Sequence, residues 1–394
     1  MANLFIGAGQ AGCNIVNRVF EEDDLAETDL ASALAVNSTI EDMRQLDNIE
    51  REKWFVVAND GEMLRGDEPG LEGKAKRGFG SRPQNSDELA GKTHGEIRAM
   101  LDSYMTDNAL DGRINHAVIC VGLGGGTGCG YAPHIAEVVG EYDDDLTEII
   151  AVGILPDTSG GIGGADEAEE GNSQRSWNTI FGLKRLEEVV DGIVLVDNQR
   201  RIVTESPQDF SDYNRYIGTA LADLVSPTSL SVDPSEYDNA ALTIELADVV
   251  NAVTEPGRLG ETGYAALGWA GETTRSLLGY LLPLYRGKSI SEQELALEAI
   301  ERRSLAGVEP GEAAKALGLI RAPESHVGNA SSGVNAETFK SFLQTLCPEA
   351  VVGQTLTDRN VVSFTSLLTY QRDDLQRLTG IFERAQEYEP ISWT

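Results

Sequence analysis

GLGGGTGCG at residues 122–130 is the stretch of this 394-residue chain that decides its fold. It follows an apolar run, His116–Val121, that predicts a buried strand, and it precedes a helical pattern over Pro133–Val139. Glycines at such a junction let backbone N–H groups converge on an anion, because no Cβ blocks the approach. The N-terminus of the following helix adds partial positive charge, and Thr127 offers a hydroxyl. The stretch therefore predicts a phosphate-binding loop, since a simple strand-to-helix turn needs fewer glycines.

A second glycine loop, GAGQAG at residues 7–12, directly follows the first apolar segment. It fits GxGxxG, but the dinucleotide fingerprint also needs an acidic residue at the end of the second strand to hold a ribose. That strand ends in Asn37-Ser38, without a carboxylate. Two phosphate loops on neighbouring strands predict one polyphosphate held from both sides. An NAD-dependent oxidoreductase stays an alternative, whereas the lack of GxxxxGK(S/T) in the sequence excludes a P-loop NTPase.

Short apolar segments alternate with helical stretches through the first half of the chain, which predicts an α/β fold around a mostly parallel sheet. Ligands of such sheets bind at the carboxyl ends of the strands. Residues 60–95 are polar and glycine-rich, which predicts a long excursion from the sheet. From about residue 259, further strand-like and helical segments predict a second, smaller α/β domain. The predicted strands are Asn3–Ile6, Ala33–Val36, Trp54–Ala58, Ala117–Val121, Ile149–Ile154, Ile193–Val196, Gly263–Leu267 and Val361–Leu368, and the later helices are Glu292–Arg302, Ala336–Leu346 and Arg372–Glu387.

The chain is strongly acidic, with a formal net charge of −33. Such a charge repels itself at low ionic strength, whereas molar salt screens it because the Debye length falls to about 3 Å at 1 M. We therefore expect a cytoplasmic protein of a salt-accumulating, halophilic archaeal cell. The charge also argues against partners such as nucleic acid or an anionic membrane. No apolar run is long enough to predict a transmembrane segment.

The four cysteines and four histidines form no metal-binding pattern in the sequence. No CxxC pair is present, and the histidines do not cluster with the cysteines, so we expect reduced, partly buried thiols and no zinc site. His116 and His134 flank the glycine loop at residues 122–130. Neither has a neighbouring nucleophile in the sequence, so we predict structural roles for both.

Both loops resemble those of the tubulin/FtsZ superfamily, with GAGQAGCNI at residues 7–15 followed by GGGTGCG at residues 124–130. The superfamily signature is GGGTG(S/T)G, and Cys129 is a small substitution at its sixth position. The high acidity resembles the haloarchaeal CetZ group. The resemblance implies that the chain binds GTP and GDP together with Mg²⁺, whose protein ligands it does not identify.

The resemblance also implies an organisation and a set of nucleotide contacts. It implies a parallel-sheet, Rossmann-like GTPase domain over 1–209, a central helix over 210–225, a catalytic loop with its following helix over 226–258, and a smaller C-terminal α/β domain over 259–394. Lys76–Arg82 is similar to the loop that senses the γ-phosphate, and Leu155-Pro156-Asp157 to the start of the ribose-side loop. The implied nucleotide contacts are Gly9, Gln10, Ala11, Gly12, Asn14, Asn37, Gly124, Gly125, Gly126, Thr127, Gly128, Cys129, Glu170, Arg175, Asn198, Phe210 and Asn214.

Phe210 and Asn214 fit the family pattern in which an aromatic ring stacks on guanine and an asparagine binds the edge of the base. Positions i and i+4 share one helix face, and an aromatic ring with a carboxamide can stack on a purine and hydrogen-bond it. Asn198 follows the predicted strand Ile193–Val196, in the position of the family asparagine that hydrogen-bonds guanine. A capping or core role for Asn214 stays an alternative.

Glu245 and Asp248, in TIELADV at residues 243–249, match the catalytic acids of the family. In the family these acids reach the GTP of the next subunit in a filament, where carboxylates polarise the attacking water. Thr243 and Glu245 replace the family's Asn and first Asp, and a capping box at Thr243 is an alternative. The resemblance thus implies a GTP-hydrolysing cytoskeletal protein that forms head-to-tail homopolymers for cell shape or motility, with possible adaptor proteins. A nucleotide-binding regulator that does not polymerise stays an alternative.

Overall fold

The computed structural model describes residues 2–21, 31–75, 78–105, 114–142, 148–158, 165–200, 211–225, 244, 246–254, 262–274, 290–327 and 333–393. Its strands are β1 Ala2–Ala8, β2 Ala31–Asn37, β3 Trp54–Val57, β4 Met63–Arg65, β5 Ile114–Gly122, β6 Glu148–Leu155, β7 Gly192–Asp197, β8 Gly263–Thr273, β9 Lys315–Ala322, β10 Ala350–Leu356 and β11 Val361–Tyr370. Its helices are α1 Gly9–Val19, α2 Ile40–Met43, α3 Leu71–Lys74, α4 Pro83–Lys92, α5 His94–Met105, α6 Thr127–Gly140, α7 Ala165–Leu186, α8 Ser211–Val225, α9 Leu246–Val253, α10 Glu292–Glu301, α11 Ala336–Leu346 and α12 Gln376–Tyr388. Within these ranges no helix is both long and apolar enough to cross a membrane.

The described strands form one sheet in the order β10-β9-β11-β8-β7-β6-β5-β1-β2-β3-β4. Strands β3, β2, β1, β5, β6, β7 and β8 pair with one another in parallel, whereas β4 is antiparallel to β3, and β11 is antiparallel to both β8 and β9. The predicted α/β class with a mostly parallel sheet is confirmed. The chain order reverses between β1 and β5, and this switch point is where open α/β sheets bind ligands.

Both faces of the sheet are buried, which explains why its strands are continuous apolar runs. Along β1, Leu4 and Ile6 pack into a core shared with α4–α7 and α10–α12, while Phe5 packs into the opposite core with α1, α8 and α9. This alternation follows from the two-residue period of a strand. Helices on both faces therefore hold the carboxyl ends of β1 and β5 in place.

The structure differs from the sequence-based expectations at several elements. The polar stretch over 60–95 contains β4, α3, α4 and the start of α5. These elements were not predicted, because few residues of the stretch are buried and no strong periodicity marks them. Strands β9 and β10 were not predicted, and α6 begins at Thr127, so that Pro133 lies inside the helix. Helix α8 begins at Ser211, and Phe210 lies outside the described residues. The predicted domain boundaries stay a prediction, and β8 extends the same sheet by pairing with β7.

Candidate functional site

The two predicted phosphate loops meet at the carboxyl ends of β1 and β5, where Ala8 pairs with Val121. Gly9 has φ +71°, and a Cβ added to it would lie 3.1 Å from the Gly128 nitrogen. A Cβ on Gly128 would lie 2.8 Å from the Ala8 carbonyl oxygen. These close approaches require glycine at both positions, because any side chain would separate the loops. The two loops therefore form one continuous backbone surface.

Helix α1 places its predicted contacts at different depths. Gln10 is exposed in the first turn, whereas Ala11 and Asn14 are half-buried. Gly12 lies against β5, since a Cβ there would be 2.0 Å from the Cys120 carbonyl oxygen. The structure thus gives Gly12 a packing role, and Gln10 is the side chain of this loop most open to a ligand.

Thr127 and Ser38 join the second glycine loop to the end of β2. Their hydroxyl oxygens lie 2.7 Å apart, at the first residue of α6 and directly after β2. Asn37 is buried, and its Oδ1 accepts a hydrogen bond of 2.8 Å from the Ser38 backbone N–H. The Asn37 amide therefore shapes this turn. Ser38 was not predicted as a site residue, although its position after the second strand and next to Asn37 was a usable signal.

Cys129 faces the core with its side chain. Its Sγ lies 2.9 Å from the Leu123 carbonyl oxygen, and burial raises the pKa of the thiol to about 12. Only its backbone N–H is therefore available to an anion at this loop. The four cysteines are free and buried.

The segment 78–82, part of the predicted γ-phosphate loop, packs against the second glycine loop. The Asn178 side chain donates to the carbonyl oxygens of Ser81 at 2.8 Å and Gly124 at 3.1 Å. A Cβ on Gly126 would lie 3.1 Å from the Arg82 nitrogen. Lys76 and Arg77 lie outside the described residues. Asn178 was not predicted from the sequence, although a carboxamide next to Trp177 and near Ile180 on α7 was a usable signal.

The predicted ribose side lies next to the same loop. A Cβ on Gly124 would lie 2.8 Å from Pro156 Cβ and 3.7 Å from Arg175 Cβ. Arg175 is exposed on α7, so its guanidinium is open to solvent at this edge. Glu170 is also exposed and lies one to two turns nearer the N-terminus of α7. Gly125, at the tip of the glycine loop, is exposed as well.

The predicted base-binding residues lie on α8 and at the end of β7, and Asn14, another predicted nucleotide contact, lies on α1. Asn198 follows β7 directly and Asn214 lies in the first turn of α8, and both are half-buried. The two helices pack closely, since Arg18 on α1 donates to Ser211 Oγ on α8 at 2.8 Å. Packing of α1 on α8 therefore brings together the elements that carry Asn14 and Asn214. Phe210, the predicted stacking ring, lies outside the described residues.

Arg377 on α12 covers the carboxyl ends of β6 and β7, and this contact was not predicted from the sequence. Its Nε lies 3.0 Å from Asp197 Oδ2, its Nη2 donates to the Pro156 carbonyl oxygen at 2.8 Å, and its Nη1 lies 3.2 Å from Thr158 Oγ1. Burial raises the pKa of Asp197, and the Arg377 charge opposes that shift. No local pattern in the sequence marks this arginine, because its partners lie far away along the chain.

Asp248 lies at the amino-terminal ends of the parallel strands, opposite the glycine loops at their carboxyl ends. It is exposed in the first turn of α9, and its charge contributes, after burial and Asp191, to the raised pKa of Glu148. Glu148 begins β6 and Leu155 ends it, so the two ends of the strand lie about 23 Å apart at 3.3 Å per residue. Asp248 therefore cannot reach a polyphosphate held by the glycine loops of its own chain. Glu245 lies outside the described residues.

The two histidines that were predicted to be structural have carboxylate neighbours. His116 Nδ1 lies 3.0 Å from Glu148 Oε2, and burial lowers the pKa of His116 to about 4. His134 Nε2 lies 3.0 Å from Asp87 Oδ1. Neither contact touches the glycine loops directly.

The fold and the paired glycine loops define an α/β protein with a candidate phosphate site at its topological switch point. The family model described as Tubulin/FtsZ family, GTPase domain, matches residues 3–203, which is more than half of the chain. The chain belongs to the tubulin/FtsZ family.

Known proteins show the same relationship. The chain is 27% identical over 303 residues to the tubulin-like protein CetZ5 of Haloferax volcanii, covering 75% of this chain and 67% of that relative. It is 31% identical over 195 residues to the cell division protein FtsZ 1 of Pyrococcus woesei, covering 50% of this chain and 42% of that relative. The matched segment thus spans less than half the length of the FtsZ relative.

Two solved structures of Haloferax volcanii proteins share the fold along nearly the whole chain. The GDP-bound CetZ1 monomer has a TM-score of 0.69 at 21% identity, covering 99% of this chain and 100% of CetZ1. The GTPγS-bound CetZ2 protofilament has the same TM-score and identity, covering 98% of each chain. At this identity the likeness shows the fold.

Proposed function

We propose that this chain binds GTP and GDP at the paired glycine loops, assembles head to tail, and hydrolyses GTP at each junction between subunits. The observation that carries this proposal is the separation of Asp248 from the glycine loops by the length of β6. An acid at one end of the strands and a phosphate site at the other end can meet only when two copies stack end to end.

In this proposal the polyphosphate lies on the backbone of the two glycine loops, beside the hydroxyl groups of Thr127 and Ser38. The ribose side is bounded by Arg175 and the turn at Pro156, and guanine lies between the elements that carry Asn14, Asn198 and Asn214. Hydroxyl and phosphate oxygens are hard ligands of the kind that Mg²⁺ takes, so Ser38 and Thr127 fit such an ion. When bound, Mg²⁺ supplies charge neutralisation of the triphosphate.

The catalytic step is assigned to the neighbouring subunit. Asp248, and Glu245 before it, would polarise the water that attacks the γ-phosphate of the next chain. Asp248 is exposed, which suits a residue that must reach outward. The replacement of the first family Asp by Glu245 predicts turnover that is slow but dependent on assembly.

At the cellular level we propose a cytoskeletal filament of a high-salt cytoplasm, with a role in shape or motility and with adaptor proteins as further partners. The net charge of −33 and the similarity to Haloferax volcanii proteins support the high-salt setting. The CetZ2 protofilament supports the filament.

GTP turnover against protein concentration, in roughly 2–3 M KCl to screen the surface charge, tests the proposal. We expect the rate per subunit to rise above a critical concentration, together with GTP-dependent light scattering. Asp248→Asn should keep GTP binding and lower turnover by at least about tenfold. General acid–base groups typically contribute about 10²–10⁴-fold, so tenfold is the smallest loss that we expect. Glu88→Gln, which removes an exposed carboxylate on α4, serves as the control and should behave as the unmodified chain.

A rate that does not depend on concentration, with no scattering, would favour the regulator that does not polymerise. The nucleotide released on denaturation gives a separate test. Release of NAD instead of GDP or GTP would overturn the assignment of the site and favour the oxidoreductase.

A further inference from the structure

Three potential metal ligands lie together on α5 and α6, away from the glycine loops. They are His94, His134 and Glu137, and one ligand atom from each lies within 4.8 Å of the others. His134 and Glu137 are three residues apart on α6, so they share a face, and His94 is the first residue of α5. The sequence spacing predicted no such site, because His94 and His134 are forty positions apart.

One nitrogen of His134 is buried and aimed at this cluster. The side chain is 9% exposed, and its Nδ1 has no hydrogen-bond partner among the described residues. That Nδ1 lies 3.6 Å from Glu137 Oε2, which is too long for a hydrogen bond. Two ligands of one tetrahedral zinc ion, with bonds of about 2.0–2.2 Å, lie about 3.3–3.6 Å apart. The Nδ1 and the carboxylate oxygen therefore lie nearly at the separation of two ligands of one ion.

The other nitrogen of His134 has the partner that a metal-bound histidine uses. Its Nε2 lies 3.0 Å from Asp87 Oδ1, and the same oxygen lies 3.0 Å from an Arg185 nitrogen. Arg185 keeps Asp87 an acceptor, so His134 carries its proton on Nε2 and directs the Nδ1 lone pair into the cluster. A carboxylate that fixes the histidine tautomer in this way is the usual outer partner of a metal ligand.

We propose that His94, His134 and Glu137 bind a divalent first-row transition metal ion of the zinc type. Two imidazole nitrogens and one carboxylate suit zinc, whereas Mg²⁺ and Ca²⁺ prefer oxygen ligands. His94 is half-buried and must turn by a rotamer adjustment to close the distance. Glu141 Oε1 lies 3.3 Å from His94 Nε2 but is also paired with Arg98, so it supports His94 instead of binding the ion.

The ion would stiffen the support of the second glycine loop without touching a nucleotide. It would join α5 to α6, and Asp87 extends the connection to α4. Next to Asp87, Ser86 Oγ donates to the Gly126 carbonyl oxygen at 2.6 Å. His134 lies seven residues from Thr127 along α6, or about 10 Å at 1.5 Å per residue. The site is therefore structural and independent of the proposed GTP chemistry.

Calorimetric titration of the metal-stripped full chain with Zn²⁺ tests the proposal. We expect one saturable site per chain, and His94→Ala and Glu137→Gln should each weaken Zn²⁺ binding by about tenfold or more. Glu96→Gln removes an exposed carboxylate from α5 outside the cluster and is the matched control, which should bind as the unmodified chain does. Co²⁺ in place of Zn²⁺ should give visible d–d absorption that the His94 variant loses.

Thermal unfolding in the absence of metal checks that the variants fold. We expect them to fold, because His94 and Glu137 lie towards the surface. Equal Zn²⁺ binding by the unmodified chain and both variants would overturn the proposal, because it would place the ion on other carboxylates of this acidic surface. Failure of the unmodified chain to bind Zn²⁺ in a saturable way would also overturn it. His134 would then be a buried histidine paired only with Asp87.

Discussion

Arg377 on the last helix holds the buried carboxylate of Asp197 at the end of β7, with 3.0 Å between Nε and Oδ2. Asp197 is completely buried and precedes Asn198, the residue predicted to bind guanine. The same guanidinium donates to the Pro156 carbonyl oxygen on the predicted ribose side. One side chain near the end of the chain therefore supports two parts of the candidate nucleotide site.

Replacement of Arg377 by Met should lower the free energy of unfolding by about 3–5 kcal/mol, because it leaves a buried charge without its partner. Denaturant unfolding in molar KCl measures this loss. The double variant Arg377→Met with Asp197→Asn should recover most of it, since both charges are then gone. A loss below about 1 kcal/mol for the single variant, the size typical of exposed pairs, would contradict a buried pair.

A second buried carboxylate, Asp223, joins α8 to the antiparallel part of the sheet. It pairs with Arg321 and accepts hydrogen bonds from Trp269 Nε1 at 2.8 Å and Ser363 Oγ at 2.7 Å. Arg321→Met should cost about 3–5 kcal/mol of unfolding free energy, whereas Ser363→Ala should cost about 1 kcal/mol. Equal losses for the two variants in denaturant titrations would show that the ion pair is not the dominant interaction.

Acid should destabilise the fold through His116, because burial lowers the pKa of its imidazole to about 4. The unfolded chain, with a histidine pKa of about 6.5, binds more protons than the folded chain between these values. Stability from this group is therefore complete above about pH 6.5 and is lost as the pH falls toward 4, by about 3 kcal/mol. Glu148 acts in the opposite direction, because its raised pKa favours the folded state as the pH falls.

The unfolding free energy measured from pH 4 to pH 7 checks this effect, and His116→Gln should flatten the part of the slope that is due to the imidazole. An unchanged slope in that variant would assign the loss of stability in acid to carboxylates whose pKa is lowered in the fold, such as Glu21 beside Arg18.

Gly128→Ala should weaken GTP binding by at least about tenfold, or about 1.4 kcal/mol. The new Cβ would lie 2.8 Å from the Ala8 carbonyl oxygen and would push the two glycine loops apart. Gly380→Ala is the control, because its Cβ meets nothing within 4 Å inside α12, and it should stabilise that helix by about 0.5–1 kcal/mol. Titration with GTP and thermal unfolding separate the two effects, and unchanged GTP affinity in Gly128→Ala would contradict contact between the loops.

Much of the parallel sheet was predictable because its signals are local. A continuous apolar run of strand length depends only on neighbouring residues, and β1, β2, β3, β5, β6 and β7 all carry one, which in β1 and β5 is followed by glycines and a helical pattern. Strands β9 and β10 were missed because their short apolar runs are interrupted by glycine and polar residues, as in KALGLIRA at residues 315–322. Their strand conformation comes from pairing with β11 and with each other.

The sequence by itself determined the α/β class, the two glycine loops, the acidic surface and the family, because glycine content, hydrophobic period and charge are properties of short segments. Tertiary structure alone decided that Arg377 reaches Asp197, that Ser38 meets Thr127, and that Asp248 lies a strand's length from the glycine loops. It also brought His94 beside His134. These relationships join residues that are far apart along the chain, and only the order and direction of the packed strands and helices determine which distant side chains become neighbours.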